Sequence, residues 1–497
     1  MSKKYILALD QGTTSCRAIL FDNKARTIGM QQKEITQIYP KPGWVEHDPV
    51  EIFNTQIQVA KSLLAEKNIS LSDIETIGLT NQRETTVLWD KRNGKPVYNA
   101  IVWQDTRTNE VCQHLKKSVN NEYVNEATGL VIDSYFSATK IKWILENIPG
   151  VRDESEKENI LFGTIDSWLL WNLTSGKSHC TDYSNASRTM LYNIHELTWD
   201  KKILELLDIP EKILPEVKPS SSDFGLTSDD IFGLQIPVTG IAGDQQAALF
   251  GQACFEKGML KNTYGTGCFM LMKTGHTAIR SKHGLLTTIA WGINNKVEYA
   301  LEGSVFIAGA AVQWLRDNMK MIKHASETDA IASSINDTKG VYFVPAFTGL
   351  GTPYWDMNAC GALIGLRRDT AFAEITRAVL ESIAYQTKDV IEAMKEDSGM
   401  EIKILKVDGG AAANEFLMQF QSDILNLHIE RPDAIEATAQ GAAFLAGIYT
   451  GFWTKEQIRN IKNDKKIFQP NMSESTRNNL YNGWKKAVSR VMNWHEE

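Results

Sequence analysis

Thiols are scarce in this chain. Its 497 residues hold six cysteines, Cys16, Cys112, Cys180, Cys254, Cys268 and Cys360, none in a CxxC pair. That excludes a zinc ribbon or a thioredoxin-like site and matches a reducing cytoplasm. Long apolar runs are missing as well, and no stretch approaches the ~18 consecutive apolar residues of a membrane span. The start, Met1-Ser2-Lys3-Lys4 and then Tyr5 to Leu9, follows a signal-peptide pattern only until Asp10 cuts the apolar run short. A basic excess is absent: 53 Lys+Arg against 60 Asp+Glu leave a net charge of −7. Nucleic-acid binders normally carry a basic patch or stripe, so that class is disfavoured. What is there is 43% hydrophobic and 23% charged, the profile of a folded globular chain. At ~150 residues per domain the length suggests about two to four domains. The expectation is a cytoplasmic globular protein with no nucleic-acid partner and no membrane span.

The opening reads as β-structure. Tyr5 to Leu9 is an apolar run ending at Asp10, and Cys16 to Phe21 follows the turn-prone Gln11-Gly12-Thr13-Thr14-Ser15. This spacing predicts a hairpin with a polar tip, extended by a third strand over 27–33. A helix is expected over 49–65, with Asp48 as cap, Pro49 at the first position and Glu51 closing a capping box. Val50, Phe53, Ile57, Ala60 and Leu64 would form its buried face. Strands over 74–79 and 236–242 follow, the second running into Gly243-Asp244-Gln245-Gln246 and an alanine-rich helix. Alternating strands and helices indicate an α/β fold. Near Gly258 the pattern starts again: a strand over 259–263, Tyr264-Gly265-Thr266-Gly267, and a strand over 268–272. The echo of the first hairpin suggests two related domains, 1–251 and 252–497. A long helix along Phe372, Ile375, Val379, Ile383, Val390 and Met394 precedes a strand over 404–407, which ends in Asp408-Gly409-Gly410. Another helix follows, lined by Phe416, Leu417, Phe420 and Ile424. The stretch Lys462 to Lys466 reads as a solvated charged face.

Three glycine-containing turns, 11–15, 264–267 and 408–411, each follow a strand. Backbone N–H groups in such turns can converge on phosphate oxygens, and threonine hydroxyls add donors. Each turn alone is equally at home in a plain hairpin. None matches GxxxxGK[ST], and none opens a Rossmann helix as GxGxxG, so P-loop and NAD readings are disfavoured. Asp10 and Asp244 sit at the carboxyl ends of predicted strands, the edge where α/β sheets bind ligands. Asp10 can hold Mg²⁺ directly or through water, and Asp244 can accept a proton from a substrate hydroxyl or simply cap the next helix. Arg83 and Glu84 can donate to and accept from vicinal hydroxyls, or form a solvated pair. Trp103 and Tyr135 can wall a small polyol or belong to the core.

In order along the chain, several motifs resemble the FGGY family of carbohydrate kinases. They are Leu9-Asp10-Gln11-Gly12-Thr13-Thr14-Ser15, Gly43-Trp44-Val45-Glu46-His47-Asp48, Thr80-Asn81-Gln82-Arg83-Glu84-Thr85 and Val102-Trp103-Gln104-Asp105. Gly243-Asp244-Gln245-Gln246, Tyr264-Gly265-Thr266-Gly267, Gly349-Leu350-Gly351-Thr352-Pro353-Tyr354-Trp355 and Asp408-Gly409-Gly410 complete the set. The resemblance spans essentially the whole chain. It implies two ribonuclease-H-like, actin-like ATPase domains with the active site in the cleft between them. Among acceptors, Asn81-Gln82-Arg83-Glu84 with Trp103 and Asp244-Gln245 points to glycerol rather than a pentulose, with sn-glycerol 3-phosphate and ADP as products.

By the same resemblance, Thr13, Thr14, Ser15 and Arg17 would contact the ATP phosphates. Thr266 and Gly309 would complete the phosphate cradle near Gln313, and Gly410 and Asn414 would border the adenosine. Arg83, Glu84, Tyr135, Asp244 and Gln245 would hydrogen-bond glycerol, against a wall of Trp103 and Phe269. Asp244 would be the general base, and Asp10 and Asp244 would hold Mg²⁺. A homodimer or homotetramer is the expected assembly. Some bacterial relatives carry a glycine-rich, arginine-ending loop for fructose 1,6-bisphosphate before the strand at Ile236; others carry a phosphorylated histidine there. Here 229–235 reads Asp-Asp-Ile-Phe-Gly-Leu-Gln, and no histidine lies between His195 and His276. Neither control is expected to operate in its usual form. The competing expectations are a kinase for xylulose, ribulose or gluconate, and a non-catalytic actin-like ATPase.

Overall fold

A computed structural model describes residues 4–117, 121–432, 436–461 and 464–495. Strands β1 (Tyr5–Gln11), β2 (Ser15–Asp22), β3 (Thr27–Glu34), β4 (Ile74–Asn81) and β5 (Val238–Gly243) form one sheet in the order β5-β4-β1-β2-β3. β1 and β2 pair antiparallel with Asp10 opposite Arg17, and β1 and β4 pair parallel. A strand flanked on both sides and covered on both faces must be apolar at successive positions, which is why Ile6 to Leu9 are all buried. Leu7 and Leu9 face helix α1 (Pro49–Glu66) through Ile52, Val59 and Leu63, while Ile6 and Ala8 share the opposite core with Phe444 and Leu445.

Helix α1 departs from expectation in two details. Asp48 caps it by accepting from the Val50 N–H, but the Glu51 carboxylate turns away to the Thr36 N–H and hydroxyl, so no capping box forms. Val50 is 44% exposed, and the buried stripe runs through Ile52, Thr55, Val59 and Leu63. Of the expected face, Ala60 and Leu64 are buried and Phe53 and Ile57 pack against the core, so Val50 alone departs from it.

After β5, helix α2 (Asp244–Gly251) leads through an irregular stretch into the second sheet. Its strands are β6 (Leu260–Tyr264), β7 (Cys268–Gly275), β8 (Leu286–Ile293), β9 (Lys296–Val305), β10 (Ile404–Asp408), β11 (His428–Pro432) and β12 (Lys465–Phe468), in the order β8-β9-β7-β6-β10-β11-β12. Within it, β9-β7-β6-β10-β11 repeats the order and the parallel and antiparallel senses of β3-β2-β1-β4-β5. The duplication expected from two hairpin tips thus extends to whole sheets. Helices α3 (Gly309–Asp317), α4 (Phe372–Ser398) and α5 (Glu415–Leu425) pack in the second half. Lys462 and Asn463 lie outside the described residues; Lys465 and Lys466 are exposed on β12 and pair with Glu430 and Glu415.

Helix α6 (Ala437–Thr450) comes late in the chain but lies on the first sheet. A Cβ at Gly78 of β4 would sit 2.4 Å from the Ala442 carbonyl oxygen, so the helix approaches the sheet backbone to backbone. The contact with α2 is closer: a Cβ at Gly441 would sit 1.8 Å from the Ala247 carbonyl oxygen. Backbone atoms on both sides leave nothing flexible to yield. Gly441→Ala is therefore expected to destabilise the protein by about 1–3 kcal/mol or more, read as a lowered thermal midpoint. An unchanged midpoint would show that the two helices separate freely.

Candidate active site

The first hairpin tip, residues 12–14, is held from behind. Gln11 and Gln82 take the Gly12 carbonyl, Gln37 the Thr13 carbonyl and the Ile35 N–H the Thr14 carbonyl. Gln82 also donates to Gln11, and His47 joins Gln37 to Gln82. Burial pushes the His47 imidazole down to about 4, so it serves this network uncharged. The Thr13 hydroxyl accepts from the Trp103 indole N–H at 3.0 Å. Trp103 in turn meets Tyr135 and Phe269 edge-on, with ring centroids 5.5 and 5.9 Å away. The three aromatics form one wall.

Arg83 and Glu84 are not a solvated pair. Both are buried at the end of β4, and Glu84 adopts φ 61°, which aims its side chain inward at a strained backbone position. Arg83 grips Glu302 on β9 with both terminal nitrogens, at 2.6 and 2.9 Å. Its Nε faces Asp244 at 3.3 Å, and its Nη2 lies 3.5 Å from the Tyr135 hydroxyl. Glu84 accepts from Arg188 at 2.6 Å, and Arg188 also reaches Glu302 at 3.0 Å. Burial works against the Glu302 charge, but Arg188 and Arg83 outweigh it and hold the carboxyl down at about 2. Arg83 faces Glu84, Glu302 and Asp244, Arg188 faces Glu84 and Glu302, and Lys261 lies in the field of Asp408 and Asp244.

Asp244 opens α2, accepts from the Gln245 N–H at 2.7 Å and keeps 28% of its side-chain surface open. The surrounding protein pushes its carboxyl up, against the pull of Arg83 and Lys261. Asp10, at the end of β1, is pushed up to about 6 by burial. Arg17 opposes that shift, while Glu436 and Asp244 add to it. Among the described residues its one cationic neighbour, Arg17, stands 3.8 Å away and is shared with Glu436 at 3.1 Å. A buried carboxylate so weakly compensated suits a divalent cation that prefers few carboxylates and several waters. Among the described residues no group of three or more His, Cys, Asp or Glu side chains could hold a metal.

The second hairpin tip is tied to α3: the Ala308 and Ala310 N–H groups donate to the Thr266 carbonyl, and Gly309 N–H to the Gly265 carbonyl. The Gly309 amide is thus engaged inside the protein, and Gly309 packs closely on the Gly265 backbone. Thr266, Gly309, Gln313, Gly410 and Asn414 all line one cavity of about 430 Å³. Asn414 caps α5 through the Leu417 N–H and donates to Thr328, so its side chain sets the cavity wall.

The residues that sequence reasoning missed are charges set in apolar strands or loops. Glu302 follows Tyr299-Ala300-Leu301, and Lys261 follows Met259-Leu260. Arg188 sits in the buried stretch from Asn185 to Met190, and Lys140 donates to the carbonyls of Ser134, Tyr135 and Phe136, which fixes the loop that carries Tyr135. A lone charge inside an apolar run is the signal that could have found the first two. Asp229 and Asp230 are exposed on a short helix, Asp229–Phe232.

Comparison with known proteins decides the family. The N-terminal domain model of the FGGY family of carbohydrate kinases matches residues 5–251, and the C-terminal domain model matches 260–449. The chain belongs to the FGGY family of carbohydrate kinases. Among FGGY relatives, glycerol kinase of Caldanaerobacter subterraneus subsp. tengcongensis is 61% identical over 99% of this chain and 100% of its own. Glycerol kinase 2 of Thermotoga maritima is 60% identical over 99% and 100%. Plasmodium falciparum glycerol kinase with ADP superposes with a TM-score of 0.91 at 39% identity, covering 99% of this chain and 98% of that one. The two-domain FGGY fold is therefore this chain's fold, in the mixed α/β class expected. No helix among the described residues is long and apolar enough to cross a membrane.

Proposed function

We infer that this chain transfers the γ-phosphoryl group of ATP to glycerol, giving sn-glycerol 3-phosphate and ADP. The observation that carries this reading is the convergence of Arg83, Tyr135 and Asp244 on one spot beside the Trp103–Phe269 wall. Glycerol is small and neutral, so each of its hydroxyls must be hydrogen-bonded and its carbon face covered. The glycerol kinases at about 60% identity over the whole chain support the same acceptor.

In this reading Arg83 and Gln245 donate to substrate hydroxyls and Glu84 accepts. Asp244 takes the proton of the hydroxyl that attacks phosphorus. Thr13, Thr14, Ser15, Arg17 and Thr266 contact the phosphates, and the cavity beside Gly410 and Asn414 takes the adenosine. Residues 1–251 then supply the acceptor site and the first phosphate turn, and 252–497 the nucleotide cavity. Mg²⁺, held by Asp10 and Asp244, would offset charge on the phosphates. The aromatic wall and the closing of the two halves keep water from the reaction. A cytoplasmic homodimer or homotetramer belongs to the same reading.

The test is ADP release by the purified protein with Mg-ATP and glycerol, xylulose, ribulose, gluconate or no acceptor. Strong, glycerol-selective turnover is expected. Turnover with a pentulose would overturn the acceptor assignment. ATP binding without acceptor-stimulated turnover would point to a non-catalytic ATPase.

A further inference from the structure

One buried cation of the cleft has no part in that scheme. Lys261 stands on β6 with none of its surface exposed. Its ammonium donates to Oε1 of Gln245, to the Thr263 hydroxyl at 2.9 Å and to the Phe269 carbonyl at 3.3 Å. Gln245 belongs to α2, whereas Thr263 and Phe269 belong to the β6–β7 hairpin. One side chain therefore ties together two residues assigned to the acceptor, from opposite halves of the chain. Burial pushes the ammonium down to about 8, against the pull of Asp408 and Asp244, so a proton stays on it at neutral pH.

An ammonium has three donors and no acceptor. It therefore selects the oxygen end of the Gln245 amide and forces the NH₂ end to face the other way. The preceding residue is Asp244, whose carboxylate already accepts from the Gln245 backbone N–H at 2.7 Å. An amide free to turn over would present its oxygen to the carboxylate and repel it.

We propose that Lys261 is a positioning residue of the acceptor site, locking the Gln245 amide with its donor end toward Asp244 and the substrate hydroxyl. It also fixes the Phe269 end of the aromatic wall relative to that donor. The proposal rests on the cleft being the glycerol site.

The experiment is steady-state kinetics of the full chain with Mg-ATP and glycerol for wild type, Lys261→Met, Gln245→Ala and the double variant. Lys261→Met is expected to lower kcat/KM for glycerol about 10- to 100-fold, the scale of a hydrogen bond to a charged group, with KM for ATP unchanged. With Gln245→Ala already present, Lys261→Met should cost less than about threefold more, since the two act as one unit. Effects that multiply, or a Lys261→Met enzyme within about twofold of wild type, would overturn this proposal and leave the glycerol reading standing. A wild type indifferent to glycerol overturns both. Where Lys261→Met fails to fold, Gln245→Glu decides. It keeps an oxygen for the ammonium but replaces the donor with an acceptor, so a loss of about tenfold or more in kcat/KM for glycerol is expected. A Gln245→Glu enzyme with wild-type kinetics would sink the proposal.

Discussion

Asp244→Asn is expected to lower kcat for glycerol phosphorylation by about 10²–10⁴-fold, the usual contribution of a general base. The substitution keeps the size of the side chain and an oxygen that can accept from the Gln245 N–H, now at 2.7 Å. Among the described residues it removes the only group in the Arg83–Tyr135–Trp103 corner that is both acidic and open to a substrate, with 28% of its side chain exposed against 2% or less for Glu84 and Glu302. Those two carboxylates are already committed to Arg83 and Arg188 and cannot take over. The variant should fold, as judged by its thermal midpoint, and still bind ATP, with a weaker hold on Mg²⁺. An enzyme that still turns over within a few-fold of wild type would remove Asp244 from the role of base.

The second large effect concerns stability. Glu302→Ala is expected to cost about 3–5 kcal/mol, the scale of leaving a buried charge without its partner. Arg83 would lose two hydrogen bonds at 2.6 and 2.9 Å, and Arg188 its contact at 3.0 Å, at positions with no access to water. Arg188 would be left with Glu84, and Arg83 with Glu84 at 3.8 Å and Asp244 at 3.3 Å. Because Glu302 rises from the second sheet and Arg83 from the first, the loss should loosen the two halves against each other. Chemical denaturation followed by tryptophan fluorescence should show a lower midpoint, and surviving protein should bind glycerol poorly. A midpoint equal to that of wild type would mean that water or a neighbouring group takes the place of the carboxylate.

Both predictions rest on residues that differ in how far the sequence revealed them. Asp244 was legible, because a strand ending in Gly-Asp before an alanine-rich helix places the carboxylate at the ligand-binding edge of a sheet. The hairpin tips, the strand limits and the long helix through Phe372 to Met394 were legible for a similar reason. Their signals are local, carried by period and by turn residues. Glu302 was not legible, since its partners Arg83 and Arg188 lie 219 positions away and on another buried stretch. Period and composition say that a residue is inside, never which inside charge it meets. The one misplaced residue of the α1 face has a related origin. Val50 fits the apolar spacing, but in the same first turn Pro49 and Ile52 are the residues buried, and only the packing shows which side of that turn is covered.

Helix α6 bears on the order in which the molecule is assembled during synthesis. The last strand of the first sheet ends at Gly243, and the helix that covers its second face begins at Ala437, which is 437 − 243 = 194 residues later. At about 5–20 residues per second, a ribosome needs roughly 10–40 s to add them. For that time Ile6, Ala8, Ile19 and Phe21 have no native cover on the side of α6. The first sheet therefore acquires its full native cover only while the last eighth of the chain is being made.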